Sequence, residues 1–274
     1  MTSLKQFIKR NLPGVASVWT DLHSSRYFER RYGAMNRDVR QTLYGNAPVV
    51  VLSGPFKGMR YTAEIGWGSM TPKWIGCYED ELSDVMKKVI QRAPSLIVDL
   101  GAAEGYFAVG LARALPGTVV HAFDGSRRAR RGQRALSRLN GCANVRIHGL
   151  CSHRDLDTLL AGQATPFVLC DIEGAEMQLL DPAEAGHLAR ADVLVECHRS
   201  GDFSPFQNAD QVTRRFEQTH LVEQIVSRDR DPVAVASLHP SLSGRGSAWL
   251  RAAADEGRGE PQCWLWMRSR AAAA

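Results

Sequence analysis

The residues able to do chemistry gather behind one short apolar run. Leu96-Ile97-Val98-Asp99-Leu100 leads into Gly101-Ala102-Ala103-Glu104-Gly105 and then Tyr106-Phe107, the pattern of a strand that breaks at a glycine bend and restarts as a helix. Such a junction is expected to leave backbone N–H groups facing outward, where acceptor oxygens can bind. Gly101 would let the chain bend tightly and a ligand approach the backbone, and Gly105 would let the helix pack close to the sheet. The spacing is Gly-x-x-x-Gly with an acid two residues before it, not the G-x-G-x-x-G of dinucleotide-binding enzymes, and Gly110 and Gly117 do not restore that match. A dehydrogenase is therefore disfavoured.

Asp99 at the strand tip would repel a pyrophosphate and suits a cation. S-adenosylmethionine (SAM), with its sulfonium and amino group, has that character. The next apolar run ends at Asp124, about 20 residues after the bend, where an acid can accept hydrogen bonds from both hydroxyls of a ribose; Asp124 also reads as a helix cap before Ser126. Further on, Asp171-Ile-Glu173-Gly-Ala-Glu176 and Glu196-Cys-His198 follow two more apolar runs. They fall at the carboxyl edge of the expected sheet, where open α/β folds bind ligands. These groups could bind an acceptor molecule, take its proton, or hold a divalent cation through oxygen. His198 is the first candidate for general base because imidazole titrates near neutral pH, and Asp171 is the second. Glu173, Glu176 and Glu196 are candidates for orienting the acceptor. Asp171 and Glu173 could instead only favour a helix N-terminus electrostatically, and no spacing identifies a metal.

Parallel strands alternating with helices must position these residues. Apolar runs at Leu96–Leu100, Val119–Phe123, Val145–His148, Phe167–Cys170 and Val193–Glu196 alternate with helical segments beginning near Gly105, Ser126, Ala175 and Asn208, which reads as a doubly wound α/β sheet. Leu221–Val226 and Cys263–Met267 have no helical pattern between them and are expected to pair antiparallel. Ahead of this core, residues 1–78 read as a cap. Helical segments reach Asn46, with Leu4, Phe7, Ile8 and Leu12 on one face until Pro13-Gly14; a hairpin spans 48–64, and Trp67–Tyr78 reads as a loop. The core is placed at 79–270, starting with a helix over Glu79–Arg92 and carrying a Gly/Ser/Arg-rich insertion at 237–260.

At 274 residues and 44% hydrophobic, the chain can bury one sizeable core with an appendage. No apolar run is long enough to cross a bilayer, and Met1–Leu12 lacks the apolar stretch of a secretory signal, so a cytoplasmic protein is expected. The six cysteines are scattered without a CxxC pair, which indicates neither zinc nor disulfides; Cys170 and Cys197 read as core residues. The net charge of +5 is concentrated at Arg127, Arg128, Arg130, Arg131, Arg134 and Arg138, read as a solvated helix face in preference to a nucleic-acid groove. The amino-terminal apolar face is expected to pack on its own domain or in a homodimer rather than on a membrane.

The motifs together carry a resemblance. Asp99-Leu-Gly-Ala-Ala-Glu-Gly-Tyr-Phe107 followed by Asp171-Ile-Glu-Gly-Ala-Glu176, with Asp155-Leu-Asp-Thr-Leu-Leu160 before the fourth strand, resembles the FkbM-type family of class I SAM-dependent methyltransferases over roughly 75–226. The resemblance implies a seven-stranded Rossmann-like core and methyl transfer from SAM, commonly to a hydroxyl of a sugar, polyketide or other small secondary metabolite. It implies donor contacts from Asp99, Gly101, Ala102, Gly105, Tyr106, Phe107, Asp124 and Asp171. Where the family often has Glu-Pro, this chain has Asp124-Gly125, which alters the loop. N-methylation of an amine remains an alternative. RNA methylation or binding is less favoured, because Asp171-Ile-Glu-Gly stands where base-methylating enzymes carry Asn/Asp-Pro-Pro-Tyr.

Overall fold

The computed structural model describes residues 13–62 and 68–273, with side chains from 27 to 271. Helix α1 runs Pro13–Tyr44 and is followed by the hairpin β1 (Val49–Val50) and β2 (Arg60–Tyr61), with Val49 paired to Tyr61. Then come the short helix α2 (Thr71–Ile75), a single turn at Asp80–Leu82, and α3 (Ser83–Arg92). The core alternates β3 (Leu96–Leu100), α4 (Tyr106–Ala114), β4 (Val119–Phe123), α5 (Arg127–Asn140), β5 (Val145–His148), α6 (His153–Leu160), β6 (Pro166–Cys170), α7 (Glu176–Leu179), β7 (Asp192–Cys197) and α8 (Pro205–Phe216). It closes with β8 (His220–Val226), α9 (Pro232–Ser237), α10 (Ser247–Ala253) and β9 (Cys263–Ser269).

The sheet has seven strands in the order β5-β4-β3-β6-β7-β9-β8. Its first five members are mutually parallel, and β9 is antiparallel to both of its neighbours. This is the doubly wound, mostly parallel Rossmann-like α/β sheet expected, with the seven strands the resemblance implies. Strand β9 pairs antiparallel with β8 as expected, but the expectation that no helix separates them is corrected: α9 and α10 lie in the connection, and antiparallel pairing does not depend on it. Strand β3 is buried on both faces: Ile97 enters one hydrophobic cluster while Leu96, Val98 and Leu100 enter the other. Val49, Phe56, Tyr61 and Trp74 lie in the same cluster as Ile97, so hairpin and sheet share a core. Gly110 on α4 makes room for this contact, since a Cβ there would sit 2.5 Å from the Phe56 ring.

Local signals set several element ends. The Ser126 hydroxyl accepts from the N–H groups of Arg128 and Ala129 to start α5, and Gly141 ends it at φ 67°. Ala129, Leu136 and Ser137 face the core, leaving Arg127, Arg131, Arg134 and Arg138 exposed. A reciprocal cap between Ser152 and Asp155 starts α6, the helix expected over 155–160.

Some expectations need correction. The stretch read as a loop over 67–78 contains α2, whose turn begins with Pro72 and ends at Gly76 in a left-handed conformation. Five residues are too few for a helical period to emerge. The 237–260 segment contains α10, anchored by buried Leu250 and Ala253. The helix expected near Asn208 starts at Pro205, because Ser204 and Gln207 form the cap. The expected apolar face at Leu4, Phe7, Ile8 and Leu12 lies outside the described residues. All six cysteines are free, and Cys170 and Cys197 are buried. Among the described residues, no helix is long and apolar enough to cross a membrane.

Candidate active site

Strand register assembles the site. Leu100 pairs with Phe123 on one side and Cys170 on the other, so Gly101, Asp124 and Asp171 emerge together from adjacent strand ends. Val195 pairs with Cys170, which places Glu196 and then His198 at the same edge. Residues separated by up to about a hundred positions thus meet because parallel strands of similar length end in line.

The bend at Gly101 is held by the protein itself. Gly101 and Ala102 N–H donate to the Phe123 carbonyl at 2.9 and 3.0 Å, Ala103 N–H donates to Asp124 Oδ2 at 2.9 Å, and Gly105 N–H donates to the Ala102 carbonyl. The expectation that these groups face outward is therefore corrected for four of them: the neighbouring strand end claims Gly101, Ala102 and Ala103, and the bend itself claims Gly105. Gly101 has φ 85°, and a Cβ there would lie 1.6 Å from the Asp171 carbonyl. Its size is fixed by the adjacent strand end rather than by a ligand. Gly105 is required by its φ of 99°; a Cβ there would meet Val109 and Gln133 rather than the sheet.

What the bend leaves open is side-chain chemistry. Asp99 is 2% exposed, and its Oδ2 has no hydrogen-bond partner among the described residues. Burial, reinforced by the charges of Asp171 and Asp124, pushes its carboxyl up to about 8. Asp99, Gly101, Ala102, Glu104, Tyr106, Phe107, Asp171 and Glu196 line a small cavity of about 40 Å³ with Lys73, Tyr78 and Glu79. A larger cavity of about 710 Å³ shares Lys73, Tyr78, Gly101, Ala103 and Asp171, and extends past Phe123, Asp124, Leu150 and Ile172 to Glu173 and Leu179. That volume suits a small-molecule site. Asp124 also accepts from the Ser126 N–H at 2.7 Å, while the helix cap itself is Ser126.

The acidic wall surrounds one imidazole. His198 Nδ1 lies 2.8 Å from Glu176 Oε1, and its Nε2 lies 3.6 Å from Asp171, 3.5 Å from Glu196 and 3.8 Å from Glu173. Burial alone would lower His198, but the Glu176 hydrogen bond and the surrounding carboxylates outweigh it and raise it to about 9. Burial pushes Asp171 up to about 7 against the opposing pull of His198. Glu196, 3% exposed and with no hydrogen bond to its Oε1 among the described residues, is raised by burial and by Asp171. Glu79 is pushed up to about 8 by burial first and then by Asp171. One donor atom each from Asp171, Glu196 and His198 lie within 4.8 Å of one another, an arrangement that could hold a metal ion.

The structure thus brings together Asp99, Asp124, Asp171, Glu173, Glu196 and His198. Asp171 and Glu196 face the cavities, His198 stands behind them, and Glu176 is buried against His198 rather than lining either cavity. Sequence reasoning missed Lys73, Tyr78 and Glu79. Lys73 and Tyr78 lie in a stretch without periodicity, Glu79 precedes the helix expected to begin at it, which starts instead at Ser83, and Lys73 pairs with Glu104, a residue within the glycine motif.

Among solved structures, the chain is similar to the O-methyltransferase TomG from Streptomyces achromogenes, involved in tomaymycin synthesis and in complex with SAM, at 15% identity over 75% of this chain and 83% of that one, with a TM-score of 0.44. It is also similar to cofactor-bound Rv0187 from MTB, at 14% identity over 86% and 96% with a TM-score of 0.47. A third is an rRNA methylase from Streptococcus thermophilus, at 12% identity over 68% and 94% with a TM-score of 0.43. These likenesses concern the fold, at identities too low to transfer the role of any residue. No family model and no curated protein matches the sequence.

Proposed function

We propose that the protein is a SAM-dependent methyltransferase of the FkbM type, acting in the cytoplasm on a hydroxyl of a small acceptor such as a sugar or polyketide. The observation that carries this reading is the buried Asp99 carboxyl at the glycine bend, its Oδ2 without a hydrogen-bond partner among the described residues, lining a small cavity that shares Lys73, Tyr78, Gly101, Ala103 and Asp171 with a neighbouring cavity large enough for a nucleoside. An uncompensated buried carboxylate is costly, and a cationic ligand offsets that cost. SAM fits this demand, with Asp99 toward its positive groups, Asp124 toward the ribose, and Gly101, Ala102, Tyr106 and Phe107 forming the wall, while Gly105 lines neither cavity and serves the backbone bend. When bound it supplies an electrophilic methyl group. The protein then has to hold the acceptor oxygen in line and receive its proton.

Asp171 is the better proton acceptor of the two candidates. It lines both cavities, and its carboxyl, raised to about 7, is matched to neutral working pH. His198, raised to about 9, is an imidazolium at neutral pH without a lone pair to offer, and it acts by charge on Asp171 while Glu176 fixes its ring. Glu173 and Glu196 orient the acceptor, and the segment through 78 shapes its pocket.

The test is calorimetry with SAM and S-adenosylhomocysteine, followed by methyl transfer to panels of alcohols and amines. Saturable binding and alcohol methylation support the reading. Folded protein that binds neither nucleoside refutes it. Asp171→Asn is expected to lower turnover by about 10²–10⁴, the worth of a general base, whereas His198→Gln is expected to shift the pH profile to higher pH because Asp171 loses its cationic neighbour. The dense carboxylates at Asp171, Glu173 and Glu196 also favour a second reading, N-methylation of a cationic amine, which the amine panel separates.

A further inference from the structure

Behind the glycine bend sits a buried ion pair that the methyl-transfer reading leaves without a role. Lys73 and Glu104 are 4% and 1% exposed and paired with each other, and both line the small cavity beside Asp99. Their contacts are uneven. Glu104 Oε1 accepts from both the Lys73 ammonium and the Tyr61 hydroxyl, the latter at 2.6 Å, while Oε2 is buried with no hydrogen-bond partner among the described residues. The Lys73 ammonium lies 4.7 Å from the centre of the Tyr78 ring, which holds it against the cavity wall. Lys73 is the single lysine or arginine lining the two cavities among the described residues, against Asp99, Glu104, Asp171, Glu173, Glu196, Glu79, Asp124 and Glu256.

We infer that Lys73 and Glu104 form the clamp for the α-amino-acid end of the nucleoside, with Lys73 on its carboxylate and the open Glu104 oxygen sharing its ammonium with Asp99. This rests on the SAM reading and adds a positional claim to it. An adjacent positive and negative group complement a ligand that carries carboxylate and ammonium on one carbon. Buried acceptor oxygens demand donors, and an ammonium supplies three. Without Lys73, the amino-acid carboxylate would face a lining with several acids and no lysine or arginine among the described residues. The adenosine half would bind elsewhere in the larger cavity, so the two halves of the ligand are separable by experiment.

The test compares S-adenosylhomocysteine with 5′-methylthioadenosine, which lacks the amino-acid end, by calorimetry. Wild type is expected to prefer S-adenosylhomocysteine. In Lys73→Met/Glu104→Gln, which removes both charges together and leaves neither buried alone, that preference is expected to fall on the order of 10–100-fold, the worth of one charge-assisted hydrogen bond. Affinity for 5′-methylthioadenosine should be unchanged, which also reports that the variant is folded. Should the double variant not fold, Glu104→Gln alone is measured, and the same preference must fall in it. An unchanged ratio in a folded variant overturns the clamp while leaving the nucleoside site standing. A wild type that binds 5′-methylthioadenosine as tightly as S-adenosylhomocysteine also overturns the clamp alone. A wild type that binds neither overturns the SAM reading and the clamp together.

Discussion

Binding of SAM should expel a proton from Asp99. With its carboxyl at about 8 in the ligand-free protein, roughly nine-tenths of the molecules carry that proton at pH 7. A ligand cation at about 4 Å, with an effective dielectric of about 20, favours the ionised form by about 4 kcal/mol, or roughly three pKa units, which brings the group to about 5. Nearly one proton should therefore leave Asp99 per SAM bound at pH 7, and only about a tenth of one at pH 9. The assay is calorimetry at fixed pH in buffers of different ionisation enthalpy, in which the slope of observed heat against buffer enthalpy counts protons. Asp171 and Glu79 are also raised and can add to the wild-type slope, so the decisive quantity is the difference between wild type and Asp99→Asn. That difference should be close to one proton at pH 7 and should shrink toward pH 9. Equal slopes in the two proteins would refute the argument that an uncompensated carboxylate defines this site.

The pH dependence of folding has a definite sign. Asp99, Glu79, Asp171 and His198 are all raised in the folded protein, so each contributes stability that is complete below its unfolded value and lost as pH rises through its folded value. His121, His148 and His220 are lowered by burial and oppose this trend below about pH 6.5, so urea denaturation of the ligand-free protein should show falling stability from about pH 7 to about pH 9, and a maximum at pH 8 or above would contradict the assignment. Gly101→Ala forces a side chain into a left-handed backbone and against the Asp171 carbonyl. A loss of more than about 3 kcal/mol is expected in urea melts, because the obstacle is backbone that cannot rotate away. Phe56→Ala empties the notch beside Gly110 and should cost about 3–5 kcal/mol by the same measurement; a cost under about 1 kcal/mol would show that hairpin and sheet do not share a core.

By itself the sequence determined the strands, the glycine bend and the acids at the strand tips. These are local properties: a doubly buried strand such as Leu96–Leu100 must be an unbroken apolar run, and a chain that reverses at Gly101 needs a residue that tolerates positive φ. Parallel pairing then puts the carboxylates at one edge whatever the loops do. Only the tertiary structure decided what each polar group touches. The outward-facing amides of the bend were legible as a possibility, yet the Phe123 carbonyl takes two of them, through a pairing set by strand register. His198 looked like a base because free imidazole titrates near neutral, but four carboxylates from two segments fold around it and make it an imidazolium. Lys73 and Glu104 carried no signal at all, since the five-residue helix that delivers Lys73 has no period to read and its partner lies beyond two intervening elements. Backbone conformation follows from neighbours in the chain, whereas the charge state of a buried group follows from neighbours in space.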